Sequence, residues 1–209
     1  AEALQAPIWW VRILIGVAVA AGAAVFLFVG TILSFDRIET GAFDFVQGIE
    51  ASLTLDIGAY GLGGVLPEGS RLLLEQAYMY SDFAFDGDPV YGDNKLAGMP
   101  PHVYAAALRY KSPAPNGLGW DIAPKIEWVP DGGYVDYANN LEAPGYATLG
   151  LEGGVDLVEG VRLFVDARNL TDEHYISTYS NITDATVAAT NVFYPGEGRS
   201  VFAGLKIAF

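Results

Sequence analysis

The chain has 209 residues, with 11 basic against 25 acidic side chains and a formal charge of −14 at neutral pH. This balance argues against nucleic acid and anionic lipid headgroups as partners. There is no cysteine, which excludes disulfides and thiolate chemistry, and the two histidines, His102 and His174, lack the spacing of a zinc site.

The first element is an apolar run from Ile13 to Leu33 without a charge or a proline. At about 1.5 Å per residue such a run spans about 30 Å, the thickness of a bilayer core, and predicts a transmembrane helix. Trp9, Trp10 and Arg12 suit the headgroup zone before it. The run is too long for the apolar part of a signal peptide and no basic segment precedes it. Gly16, Ala20 and Ala24 recur at four-residue steps, a spacing that admits a second helix closely, although Ala and Gly are common in any membrane helix. No His, Asp or Glu lies inside the span, so it offers no axial ligand and no proton relay. Residues 1–37 are accordingly expected to be a membrane anchor, its amino terminus cytoplasmic and the remainder exported.

Residues 38–209 read as a mainly antiparallel all-β domain of about seven strands. In the first, Ile49, Ala51, Leu53, Leu55 and Ile57 share one face, and Glu50, Ser52, Thr54 and Asp56 the other. Further strands are predicted from about Arg71 to Phe83, His102 to Lys111, Leu118 to Val129, Tyr146 to Leu157, Val161 to Arg168 and Arg199 to Phe209. Val158-Glu159-Gly160 fits a tight turn, whereas Ala84 to Pro101 and Asn169 to Glu197 are long loops, the asymmetry of a meander elaborated at one end. A sheet with so much apolar surface is expected to close into a small barrel, curled sheet or sandwich with that side inward, or to pack on a partner.

Chemistry is sparse. Asp82, Asp86, Asp88 and Asp93 crowd one loop beside Asn94 and form a loose Ca²⁺ candidate, but without EF-hand spacing, and acidic loop residues are more often simply solvated. Asp166 and Arg168 share a strand face, while Glu50, Asp56, Glu127 and Glu152 are scattered over strands. No nucleophile elbow, phosphate loop or metalloprotease helix is present, so neither enzymatic activity nor a cofactor is expected.

Several segments resemble a known family. They are Gly48-Ile49-Glu50-Ala51; Ala77-Tyr78-Met79-Tyr80-Ser81-Asp82; Leu96-Ala97-Gly98-Met99-Pro100-Pro101-His102; Asn169-Leu170-Thr171-Asp172-Glu173-His174-Tyr175; and Tyr194-Pro195-Gly196-Glu197-Gly198-Arg199 leading to Phe209. In this order they look like the carboxy-terminal part of a TonB-dependent outer-membrane receptor. The resemblance implies descent from a gated transporter of iron chelates or similar nutrients, and Phe209 resembles the terminal aromatic read by outer-membrane insertion machinery. Such receptors also have a plug domain and about 22 strands, which a truncated chain with about seven does not supply. Because a long apolar helix is retained by inner-membrane insertion machinery, the expectation is a non-enzymatic accessory subunit of an inner-membrane complex, respiratory or photosynthetic. Its partners would be the bilayer and other integral membrane subunits, with the β domain periplasmic. The alternative is a fragment of an outer-membrane receptor for siderophore or nutrient uptake.

Overall fold

The computed structural model describes residues 45–61, 65–113, 118–187 and 192–208, over which the alternating pattern becomes an antiparallel meander. Its strands are β1 (Phe45–Asp56), β2 (Arg71–Ala84), β3 (His102–Pro113), β4 (Gly119–Val129), β5 (Tyr146–Val158), β6 (Val161–Arg168) and β9 (Ser200–Ile207), forming one 7-stranded sheet in that order. Two short strands, β7 (Ile176–Tyr179) and β8 (Phe193–Pro195), make a separate hairpin inside the stretch expected to be loop. At four and three residues they are too short to display a period of two.

The expected transmembrane helix, with Trp9, Trp10, Arg12, Gly16, Ala20 and Ala24, lies outside the described residues, as does Phe209. Among the described residues no helix is long and apolar enough to cross a membrane. The helix α1 (Ile57–Gly61) is a short connector after β1.

Connections at one end of the sheet are long: 85–101, 130–145 and, between β6 and β9, the described residues 169–187 and 192–199 form a rim. At the other end Glu159-Gly160 turns β5 tightly into β6, with Gly160 at φ +78°, a conformation a side chain would strain. The β3–β4 pairing runs from Tyr104↔Trp128 to Ala107↔Lys125 and resumes at Tyr110↔Ile122. The interruption falls at Pro124, whose nitrogen has no hydrogen to give the ladder.

Register fixes what each face carries. Asp56, Glu75, Arg109, Asp121, Lys125, Glu152, Asp156, Arg162, Asp166, Arg168 and Lys206 fall on one side. Leu55, Leu74, Leu108, Ile122, Leu151, Leu163, Val165, Val201, Leu205 and Ile207 fall on the other. The surface hollows lie on the charged side, which is therefore concave. Leu73 and Ala123 are buried at 5% and 0% exposure on that side, beneath long ionic side chains. By contrast Leu108, Ile122, Val165, Leu205 and Ile207 are exposed at 39%, 42%, 41%, 59% and 61%. This corrects the expectation that the apolar side turns inward: the sheet is inside-out relative to a water-soluble β domain.

Aromatic rings mark both ends of the apolar side. Register sets Tyr78 beside Tyr104 and Tyr104 beside Trp128 near the rim. At the turn end Tyr110 and Trp120 stand 5.3 Å apart between ring centroids. On β4 the eight positions from Trp120 to Trp128 extend about 27 Å at ~3.4 Å per residue, or about 20 Å in height once a strand is tilted by ~40°.

Candidate functional site

The concave side carries a continuous ionic ladder, assembled because strand alternation brings polar residues of five neighbouring strands to one face. Arg109 on β3 donates from Nε to Glu75 Oε1 at 3.1 Å and from Nη1 to Asp121 Oδ2 at 2.8 Å, and also pairs closely with Glu152. Arg162 pairs closely with Asp121 and reaches Asp156 at 3.0 Å. Lys125 Nζ lies 2.5 Å from Asp166 Oδ1 and 3.5 Å from Glu152 Oε2. Arg168 continues the ladder to Asp166 at 2.7 Å and Glu197 at 3.7 Å, while its guanidinium sits 4.7 Å from the Phe202 ring centroid.

Glycines on β5 let these long side chains lie flat. A Cβ at Gly154 would stand 2.6 Å from Arg162 Nη2, and one at Gly150 would stand 2.8 Å from Lys125 Cε. Two hollows result, of about 590 Å³ and 780 Å³. Lys125, Glu127, Thr148, Arg168 and Tyr175 line the one nearer the rim; Arg71, Arg109, Asp121, Glu152 and Arg162 line the other. The arrangement is a wall of mutually satisfied charges. Of the carboxylates scattered in the sequence, Glu152 joins the ladder, Asp56 meets Arg71 at 2.8 Å, and Glu127 accepts from the Tyr146 hydroxyl at 2.7 Å. Glu50 stands across from Met79 on the same side. Asp166 and Arg168 meet each other as well as their neighbours.

The four candidate Ca²⁺ ligands do not converge. Asp82 is held by Lys95 and by the Tyr80 hydroxyl. Asp88 Oδ1 accepts from the Val90 and Tyr91 N–H groups at 2.8 Å, and Asp93 accepts from Gly87 N–H at 2.9 Å, so both fold their own loop. Asp86 is exposed. Among the described residues no group of three or more His, Cys, Asp or Glu could hold a metal ion. His102 sits on the apolar side, Nδ1 2.9 Å from the Tyr78 hydroxyl and its ring 5.1 Å from that of Tyr80, while His174 is exposed at the rim.

The rim contains the residues that sequence reasoning missed. Asp136 is fully buried and accepts N–H groups from Asn140, Leu141 and Ala185. Asn169, at φ +47°, donates to the Glu173 and Glu197 carbonyls and accepts from Glu173 N–H at 2.8 Å. It thereby joins the Asn169–Tyr175 and Tyr194–Arg199 segments, far apart in sequence. An Asn or Asp before a turn was the available signal, but such residues are too frequent here to single out one. At the rim the Asp184 carboxyl is held below the ordinary carboxylate range by the Thr186 hydroxyl and N–H, with Asn140 assisting. Burial raises Tyr179, whose hydroxyl donates to the Gly132 carbonyl at 2.7 Å. Tyr134 is raised chiefly by its hydrogen bond to the Glu142 carboxylate.

None of the curated proteins matches this chain. Among solved structures, the sheet is similar to the crystal structure of BauA, the ferric preacinetobactin receptor from Acinetobacter baumannii. The TM-score is 0.52 at 13% identity, over 81% of this chain and 28% of that one, so the likeness is one of fold and this chain spans little more than a quarter of the receptor's length. A family model described as TonB dependent receptor-like, beta-barrel matches residues 42–170. That match overturns the expectation of an accessory subunit of an inner-membrane complex, respiratory or photosynthetic. With more than half of its length matched, the chain belongs to the TonB-dependent receptor-like β-barrel family.

Proposed function

We propose that this chain forms part of the wall of an outer-membrane receptor that takes up nutrients, with the apolar side against lipid, the ionic ladder facing the lumen and the rim loops turned to the medium. One observation carries the reading: the long apolar side chains are exposed on the convex side while the charges gather on the concave one. Trp120 and Trp128, near the two ends of β4, agree with interfacial girdles, and the ~20 Å between them is close to the ~25 Å apolar band of such barrels, whereas Tyr104 is buried at 6% exposure with its hydroxyl on Gln76. The wall performs no chemical step of its own; its role is passage and recognition. Because the similar BauA is a ferric preacinetobactin receptor, a ferric chelate is the substrate class proposed. Separation of the two membranes from cells producing the protein tests the location. Recovery with the outer membrane, with mobility on gels that changes on heating, is expected; recovery with the inner membrane overturns the reading.

A further inference from the structure

The three rim connections are bound to one another more than their sequence separation suggests. The first (85–101) and second (130–145) are joined where Asn94 Nδ2 donates to the Tyr137 carbonyl at 2.9 Å and Gly98 N–H to the Tyr134 carbonyl at 2.9 Å. Asn139 completes that seam in both directions, accepting from Lys95 N–H at 2.8 Å and donating to the Lys95 carbonyl at 2.9 Å. The Tyr137 ring also packs within 5.8 Å of Phe85 and 5.7 Å of Tyr91. The second and third connections are joined by backbone bonds from Tyr137 N–H to Ile182 at 3.1 Å, from Ala138 N–H to Thr183 at 3.0 Å and from Ile182 N–H to Val135 at 3.2 Å. Asn181 reaches from the third connection to the Ala97 carbonyl of the first at 3.0 Å.

Asp136 lies at the middle of this block with 0% exposure. Its Oδ1 accepts two N–H groups of its own connection, both at 2.9 Å, and its Oδ2 accepts Ala185 N–H of the third at 3.0 Å. A buried carboxylate is tolerated only while donors surround it. Separating the third connection would break the bond from Ala185 N–H to this buried carboxylate, so Asp136 ties the second connection to the third.

We propose that 85–101, 130–145 and 169–187 form one rigid cap with Asp136 as its keystone, so that contact on any of them is transmitted to the other two. Independent flaps would instead need each connection to hold its shape alone.

The absence of cysteine permits a direct test on the full chain in detergent or lipid. Spin labels placed at Val90→Cys and Thr183→Cys, both exposed positions, report the distance between the first and third connections. One narrow distance is expected, and Asp136→Ala should at least double its width although Asp136 has no hydrogen bond to the first connection. Tyr179→Phe, which deletes the bond to Gly132 on the same seam, should broaden it less and carries the test where Asp136→Ala does not fold. A broad distribution in the unsubstituted background overturns the proposal, as does a width left unchanged by the substitutions.

Discussion

Arg109 reaches Glu75, Asp121 and Glu152 at once because it stands on the strand between β2 and β4, and its planar fork can serve acceptors on several sides. Its side chain is only 16% exposed, so the charges it neutralises are partly withdrawn from water. Two of them keep a second cation, Arg162 for Asp121 and Lys125 for Glu152. Arg109→Met should therefore lower stability by about 2 kcal/mol, less than the ~3–5 kcal/mol of a fully stranded buried charge. Urea unfolding of the protein in lipid measures it; a loss below about 0.5 kcal/mol would reduce the ladder to ordinary surface pairs.

Elements of the rim owe their shape to short polar side chains as well as to a small apolar cluster of Phe85, Ala97, Val135 and Ala143. Asp184 illustrates the consequence for pH. Its folded value lies below the ordinary one because Thr186 donates from its hydroxyl at 2.6 Å and its N–H at 2.8 Å. The stability it contributes is thus complete above the ordinary carboxylate value of about 3.9 and is lost as pH falls through the lower folded value. Protection of the Thr186 amide against hydrogen exchange should stay constant from neutral pH down to about pH 4 and decline only below it. A decline beginning near neutrality would contradict the assignment to Asp184. The strands were legible because alternation such as Leu53-Thr54-Leu55 leaves one arrangement with a consistent face. Which face points inward was not legible, since alternation is the same in a soluble sheet and a membrane wall, and the apolar run Ile13–Leu33 drew the reading to the inner membrane. The ladder was invisible for another reason: Arg109, Glu152 and Asp166 meet only through a register of three neighbouring strand pairs. Asp136 was hidden likewise, because its third donor, Ala185, arrives from a distant connection.

At the scale of the molecule, a soluble fold would hide Leu163, Val165, Val201 and Leu205 in a core, yet these residues are exposed at 36%, 41%, 65% and 59%. In water such a continuous apolar side would drive aggregation. In the membrane proposed above hydrocarbon covers this side, and the ladder bonds between neighbouring strands from β1 to β9 are made within the sheet. The charged side meanwhile pairs its cations with carboxylates of neighbouring strands. The measurement that tests this most directly is a scan of single cysteines along β6, possible because the natural chain has none. With the protein in lipid, Val161→Cys, Leu163→Cys and Val165→Cys should respond to a lipid-borne quencher and resist a water-soluble thiol reagent. Arg162→Cys, Phe164→Cys and Asp166→Cys should do the reverse. The opposite alternation, or equal access of water to all six, would contradict a wall whose apolar side faces the membrane.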